Sequence, residues 1–195
     1  MVPVSISEQE ESSKPSSSTV SAITSGTING HAYVDLGLSV KWATMNVGAS
    51  TPGDYGDYFA WGEVHPKSEY TEKNSQTRKN NISNISGNSS SDAACYHWGS
   101  SWRLPTEKEL EELKDKCRWS WTQQDGHSGY KVVGLNGNSI FLPAAGLRYG
   151  ASAFNVVRAG YYWSGSPYER STKYAFCLDF DVDYRRVDWD NRTMV

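Results

Sequence analysis

The stretch Trp102–Thr122, WRLPTEKELEELKDKCRWSWT, changes its period halfway, and that change decides the fold. In its first half Thr106 and Glu109 have the spacing of a capping box, and Leu110, Leu113 and Cys117 recur on one helical face. Glu107, Glu109, Glu111 and Glu112 precede Lys114 and Lys116, the order that the helix dipole favours. From Arg118 onward apolar and polar residues alternate, which predicts a strand over Arg118–Thr122. Further strands are expected at Tyr130–Gly134 and Ser139–Leu142, joined through Leu135–Asn138 with its Asn-Gly turn. A helix followed by antiparallel strands is an α+β arrangement. These four glutamates are explained by a solvated helix face, without acid–base chemistry.

Towards the C-terminus, Tyr174–Asp183 alternates without interruption. Tyr174, Phe176, Leu178, Phe180 and Val182 share one face of a strand. Ala175, Cys177, Asp179, Asp181 and Asp183 share the other, expected to face solvent. Upstream, His31–Leu36 and Ser39–Thr44 read as short strands split by Gly37, and Tyr55–Trp61 as another. Asp92–Trp98 reads as a short helix with Asp92 as N-cap.

Residues 1–28 are polar, Ser/Thr-rich and free of aromatics, the composition of a flexible tether. The globular domain is expected over 29–195. Lys73–Ser91 reads as a long surface loop, and its three Asn-x-Ser triplets are accounted for by its Asn/Ser bias. At 195 residues the chain fits one domain with a sizeable core. Its net charge of −3 and lack of a basic stripe exclude nucleic acid as the expected partner. Eight Trp and twelve Tyr favour twisted strands and a rigid, adhesive surface. Cys95, Cys117 and Cys177 match no zinc spacing and read as buried small hydrophobes. MVPVSIS lacks the basic-then-hydrophobic plan of an export signal, and no apolar run reaches membrane-spanning length.

Several separated blocks carry a family resemblance: NGHAYVDLGLSVKWATMNVGAS, GDYFAWGE, WGSSWRLPTEKELEELKDKCRWSWT, YKV, GNSIFLPAAGLR and YYWSGSPY. In this order, over roughly Asn29 to Arg192, they resemble a domain abundant in gut Bacteroidetes and named for the major paralogous domain of Fibrobacter. The WRLPT block with its acidic helix is similar to the formylglycine-generating-enzyme branch of the C-type lectin fold. That resemblance implies two helices with small antiparallel sheets and long loops. The stretch after AAGLR resembles the variable region of proteins diversified by retroelements, in which mutagenic reverse transcription randomises adenines. AAY codons then yield Tyr, Asp, Ser, Arg, Phe or His, but not Trp, Lys, Glu, Gln or Met. By that rule Trp163, Trp189, Glu169 and Lys173 are framework positions. Related variable regions pass through an arginine, here matched by Arg192, into a closing strand. This sequence instead reads Thr193-Met194-Val195, and if no further residues follow, a sheet edge near the N-terminal strands is expected to lack its partner.

The resemblance implies an exported, adhesin-like cell-surface or pilus-tip protein, whose signal or lipid anchor is not contained in these residues. The expected partner is a protein or glycan on a cell or phage surface; no cofactor and no metal are expected. Tyr offers large contact area at low entropic cost, and Arg and Asp add directional bonds. Binding is therefore expected at Tyr149, Ser152, Phe154 and Asn155, and at Tyr161, Tyr168, Arg170 and Thr172. Within 147–192 it further involves Asp181, Asp183, Tyr184, Arg185 and Arg186, together with Asp188, Asp190 and Asn191. Leu178, Phe180 and Val182 are expected to hold the strand. Trp42, Trp61, Trp98, Trp102, Trp119 and Trp163 are expected in or near the core.

Three rival chemistries remain. A formylglycine-generating oxidase needs a reactive cysteine arrangement, and Cys177 has no companion nearby. A hydrolase would recruit His97 or His127 with Asp92 or Asp125. Calcium-dependent sugar binding would use Asp188, Asp190 and Asn191, but lacks the companion Glu-Pro-Asn element. A structural lipoprotein domain without a variable site, and a degenerate formylglycine-type enzyme, are the alternatives to a binding domain.

Overall fold

The computed structural model describes Ser5–Ile6 and residues 25–194. The described residues form a mixed α+β domain with two helices and small antiparallel sheets. β2 (Ser25–Ile28) and β3 (His31–Val34) make a hairpin, with Ile28 opposite His31. Its turn, Asn29-Gly30, has φ of 51° and 82°, the left-handed pair that a two-residue hairpin requires. The expected boundary at Asn29 therefore falls inside this hairpin and is corrected: Ser25–Ile28 belongs to the domain. Pairing with β3 holds this polar strand, a contribution that composition does not register.

β1 (Ser5–Ile6) lies antiparallel between β4 (Lys41–Ala43) and β5 (Trp102–Arg103), giving the sheet order β2-β3-β4-β1-β5. Part of the expected tether is thus a strand, and the edge expected to lack a partner is paired at this point. Residues 7–24 of the tether lie outside the described residues.

α1 (Ala93–Trp98) starts at Asp92, whose Oδ1 accepts the N–H groups of Ala94 at 2.9 Å and Cys95 at 3.1 Å. Its Oδ2 accepts those of Gly87 and Leu104, each at 2.8 Å. One buried carboxylate thereby ties a loop, a helix and the exit of β5 together. α2 (Glu107–Lys116) carries the expected capping box, and Arg103 grips Glu109 with two nitrogens at 2.8 and 2.6 Å. Leu110 and Leu113 are fully buried, and truncating either to Ala would cost about 2–5 kcal/mol. β6 (Arg118–Gln124), β7 (His127–Val133) and β8 (Ser139–Pro143) follow as an antiparallel meander.

Tyr55–Trp61 forms no strand, although its apolar pattern predicts one. Its carbonyls are taken by distant side chains in place of a ladder. Asn46 Nδ2 donates to Tyr55, the Tyr70 hydroxyl to Tyr58, and Trp163 Nε1 to Phe59. Trp61 Nε1 in return donates to Ser164 O at 2.9 Å. Lys73–Ser91 is free of helix and strand, as expected, but Thr77 and Ile85 are buried anchors within it.

β9 (Leu147–Tyr149) and β10 (Ser152–Phe154) form a small hairpin. β11 (Ala159–Pro167), β12 (Tyr174–Asp181) and β13 (Arg185–Asn191) form an antiparallel sheet with β12 central. This sheet sits between two cores. Tyr162, Leu178 and Phe180 pack with Leu110, Leu113, Val132 and Ile140 on one side. Trp163, Ala175 and Cys177 pack with Phe59, Trp61 and Ile85 on the other. The expected solvent face of β12 is therefore corrected: Ala175, Cys177 and Asp179 are buried, because the 44–92 segment folds over that side. Val182, expected to hold the strand, lies beyond it and is 57% exposed. All three cysteines are buried and unpaired. Trp42, Trp61, Trp98, Trp102 and Trp163 are core residues, and Trp119 is partly buried at the core margin.

Candidate ligand-binding site

Strand register divides the aromatic and charged residues of 147–192 between two faces of one sheet. In β12–β13, Asp179 faces Arg186 and Cys177 faces Asp188, while Phe176 faces Trp189 and Phe180 faces Arg185. The period of two therefore puts Tyr161, Asp179, Arg186, Asp188 and Asp190 on one face. Arg185, Trp189 and Asn191 are on the other.

The first face is built on a buried carboxylate. Asp179 Oδ2 accepts from Arg186 Nε at 3.0 Å and Nη2 at 2.8 Å, and Oδ1 accepts from the Tyr184 hydroxyl at 3.0 Å. The Arg186 guanidinium also lies over the Tyr184 ring, 5.3 Å from its centroid. Its outer edge is 3.8 Å from Asp188 Oδ2. The bonds to Asp179 raise the Arg186 pKa further, and burial followed by the same carboxylate raises that of the Tyr184 phenol. Asp179 is thus the foundation of the face, a role that the alternation hid by assigning it to solvent.

Asp181 closes the β12–β13 turn by accepting the N–H groups of Asp183 at 2.8 Å and Tyr184 at 3.0 Å. That places Tyr184 beside Asp179. Asp190 sits deeper, near Leu147, Tyr161, Trp163 and Cys177 around a small cavity. Burial, reinforced by the charges of Asp179 and Asp188, holds its carboxyl above the usual range.

The loop after β10 joins this face through Asn155, whose Nδ2 donates to the Tyr161 hydroxyl at 3.1 Å. Asn155 and Val157 are left-handed, with φ of 56° and 64°. For β-branched Val157 that conformation is strained by about 1–3 kcal/mol. It is held by the bond from Val157 N to Ala144 O at 2.8 Å. Next to it the β9–β10 hairpin leaves Tyr149 and Phe154 about half exposed, with Ser152 exposed opposite Tyr149.

The remaining expected residues lie elsewhere. Arg185 is on the helix-bearing face, over the Trp119 ring at 5.7 Å. Asn191 accepts the N–H and hydroxyl of Thr193 through Oδ1, so it forms a turn and faces away from Asp188 and Asp190. Tyr168, Arg170 and Thr172 line a separate groove of about 900 Å³ at the other end of the sheet. Trp189, expected as framework, is 44% exposed; it stacks on Tyr168 and meets Tyr174 at a tilt at that end.

Sequence reasoning missed Arg192 as a structural hub. Its guanidinium is buried against the Trp61 ring at 4.1 Å and donates to the carbonyls of Tyr174, Thr77 and Asn80. With carbonyls for partners, burial pulls its pKa down to about 10. An arginine following the last strand was visible in the sequence, but its three carbonyl partners come from segments far apart in the chain.

His97 Nε2 donates to Val64 O at 2.8 Å and His97 packs against Phe59, and His127 packs against Tyr55. Neither is bonded to Asp92 or Asp125. No family model matches the chain, and no curated protein or solved structure matches it.

Proposed function

We propose that the chain is a non-enzymatic ligand-binding domain of C-type lectin-like fold, displayed at a bacterial surface. On this reading it recognises a protein or glycan through the open face of β11–β13 and the neighbouring β9–β10 hairpin. The observation that carries the reading is the pre-organisation of Arg186 and Tyr184. Arg186 has 58% of its side chain exposed, yet its rotamer is locked onto a carboxylate at 7% exposure. Side chains already held in one geometry lose less entropy on binding, the condition for tight recognition by a small surface.

The residue types of this face fit diversification by a retroelement. Asn155, Tyr161, Tyr184, Arg186, Asp188 and Asp190 are all reachable from randomised AAY codons. Trp163, which is not, lies in the core. Non-enzymatic use is supported by the state of the thiols. Burial raises the Cys177 pKa far above its ordinary value and that of Cys117 to about 11, which disfavours the nucleophilic thiolate.

The test is the coding DNA and its neighbourhood. The expected finding is a near-copy of codons 147–192, differing mainly at adenines, beside a reverse transcriptase gene. Absence of both overturns diversification and leaves a constant binding surface or a structural domain.

A further inference from the structure

We infer that the groove at the far end of the β11–β13 sheet is a second binding site, for a neutral saccharide. It goes beyond the open-face reading and does not depend on it, since the two surfaces share no residue. The groove encloses about 900 Å³ between the 81–84 loop, the start of α2 and the β11–β12 connection. That volume suits one to three sugar rings.

Three observations converge on saccharide chemistry. The formal charges that line the groove cancel, two carboxylates (Glu107 and Glu169) against two guanidinium groups (Arg170 and Arg192). An ion of either sign therefore meets as much repulsion as attraction, whereas a hydroxyl, both donor and acceptor, satisfies carboxylates and guanidinium groups alike. The wall is aromatic and fixed in plane. Tyr168 stacks on Trp189 with centroids 5.2 Å apart and 29° between planes, and meets Phe176 edge-on at 5.8 Å. Such a platform packs against the C–H face of a pyranose while the ring oxygens stay free to bond. Finally, Arg192 is 1% exposed and lines the groove. Its Nε and Nη1 are committed to carbonyls, leaving Nη2 without a protein partner among the described residues. A donor nitrogen in that state can bond an oxygen arriving from the groove.

The carboxylates supply the complementary acceptors. Burial, then the charges of Glu111 and Glu169, raises the Glu107 pKa, and a hydroxyl donor relieves that crowding. The amides of Asn81 and Asn84 at the rim add exposed hydrogen-bonding groups.

The experiment is titration of the whole chain with two sets of oligosaccharides, followed by tryptophan fluorescence. The neutral set ends in glucose, galactose, mannose, fucose or N-acetylglucosamine; the acidic set is sialylated or sulfated. Trp189, stacked behind Tyr168, is the reporter. At least one neutral sugar is expected to bind, and Tyr168→Ala and the double variant Glu169→Gln/Arg170→Gln each to weaken it tenfold or more. All three positions are solvent-accessible, so the melting temperature checks that folding is intact. Lys131→Gln, at an exposed position outside both surfaces, is expected to leave sugar binding unchanged. Binding of acidic sugars alone, no binding from the neutral set, or binding that survives the groove substitutions overturns the inference. None of those outcomes touches the open-face reading, which is lost only through substitutions at Arg186 and Asp188.

Discussion

Arg186 Nη2 lies 2.8 Å from Asp179 Oδ2 across the β12–β13 ladder, so the most exposed cation of the open face is anchored to its most buried anion. The pair joins display to stability. Removing Arg186 or Tyr184 leaves Asp179 under-satisfied at 5% exposure. Arg186→Ala is expected to lower unfolding stability by about 1–3 kcal/mol, the cost of an unpaired buried acceptor. Asp188→Ala, at a half-exposed carboxylate 3.8 Å from the same arginine, is expected to change it by less than about 0.5 kcal/mol. Urea denaturation of both variants measures this. Equal losses would place Asp188 in the scaffold.

Asp190 carries a pH signature. Its folded pKa is raised above 3.8, so between 3.8 and the raised value the folded state holds a proton that the unfolded state has released. Stability from this group therefore falls as pH rises through that window, and the full cost is present at pH 7. Asp190→Asn is expected to melt above the parent at pH 7, with the gap closing below about pH 3.8. Thermal scans across pH 3–8 check the sign; a variant less stable at pH 7 would show that the charge itself is needed.

Asp92 accepts four backbone N–H groups from three segments. Asp92→Ala strands all four and is expected to cost more than about 2 kcal/mol, beyond a simple N-cap loss. Asp92→Asn keeps only one carbonyl oxygen and should fall between. Hydrogen exchange at Gly87 and Leu104 would rise in both if the carboxylate joins these segments.

Among the described residues, β1 is the strand that links β4 to β5 in their sheet. Removing residues 1–24 uncovers the facing edges of both. The expected result is a lower melting temperature together with concentration-dependent association, since uncovered strand edges pair with other chains. Size-exclusion chromatography across a concentration series measures it, and unchanged elution with unchanged melting would show that the Ser5–Ile6 pairing adds nothing.

The parts of the fold legible in sequence are those fixed by nearby residues. The Asp92 cap, the Thr106–Glu109 box and the β7–β8 turn each complete their hydrogen bonds within a few positions. Tyr55–Trp61 was misread because its carbonyls are satisfied by Asn46, Tyr70 and Trp163, which no local window contains. β12 was misread for a related reason: alternation reports one buried face, and a strand between two cores has two. The layout of the candidate site was not legible in the sequence. Residue types marked 147–192 as rich in contact chemistry, but only strand register separates Arg186 from Arg185, or Asp190 from Asn191. The Asn29-Gly30 turn was readable and would have corrected the domain boundary.

The opposed faces of β13 also limit how this region can change length over generations. Substitution at any open-face position alters one contact. Insertion of a single residue before Trp189 within β13 would instead reverse every side chain beyond it, carrying Trp189 from its stack behind Tyr168 to the open face and Asp190 away from that face. A lineage that varies this region is thus confined to residue exchange within the strands. Changes in length are restricted to the two connections, 168–173 and 182–184, where no ladder fixes the count.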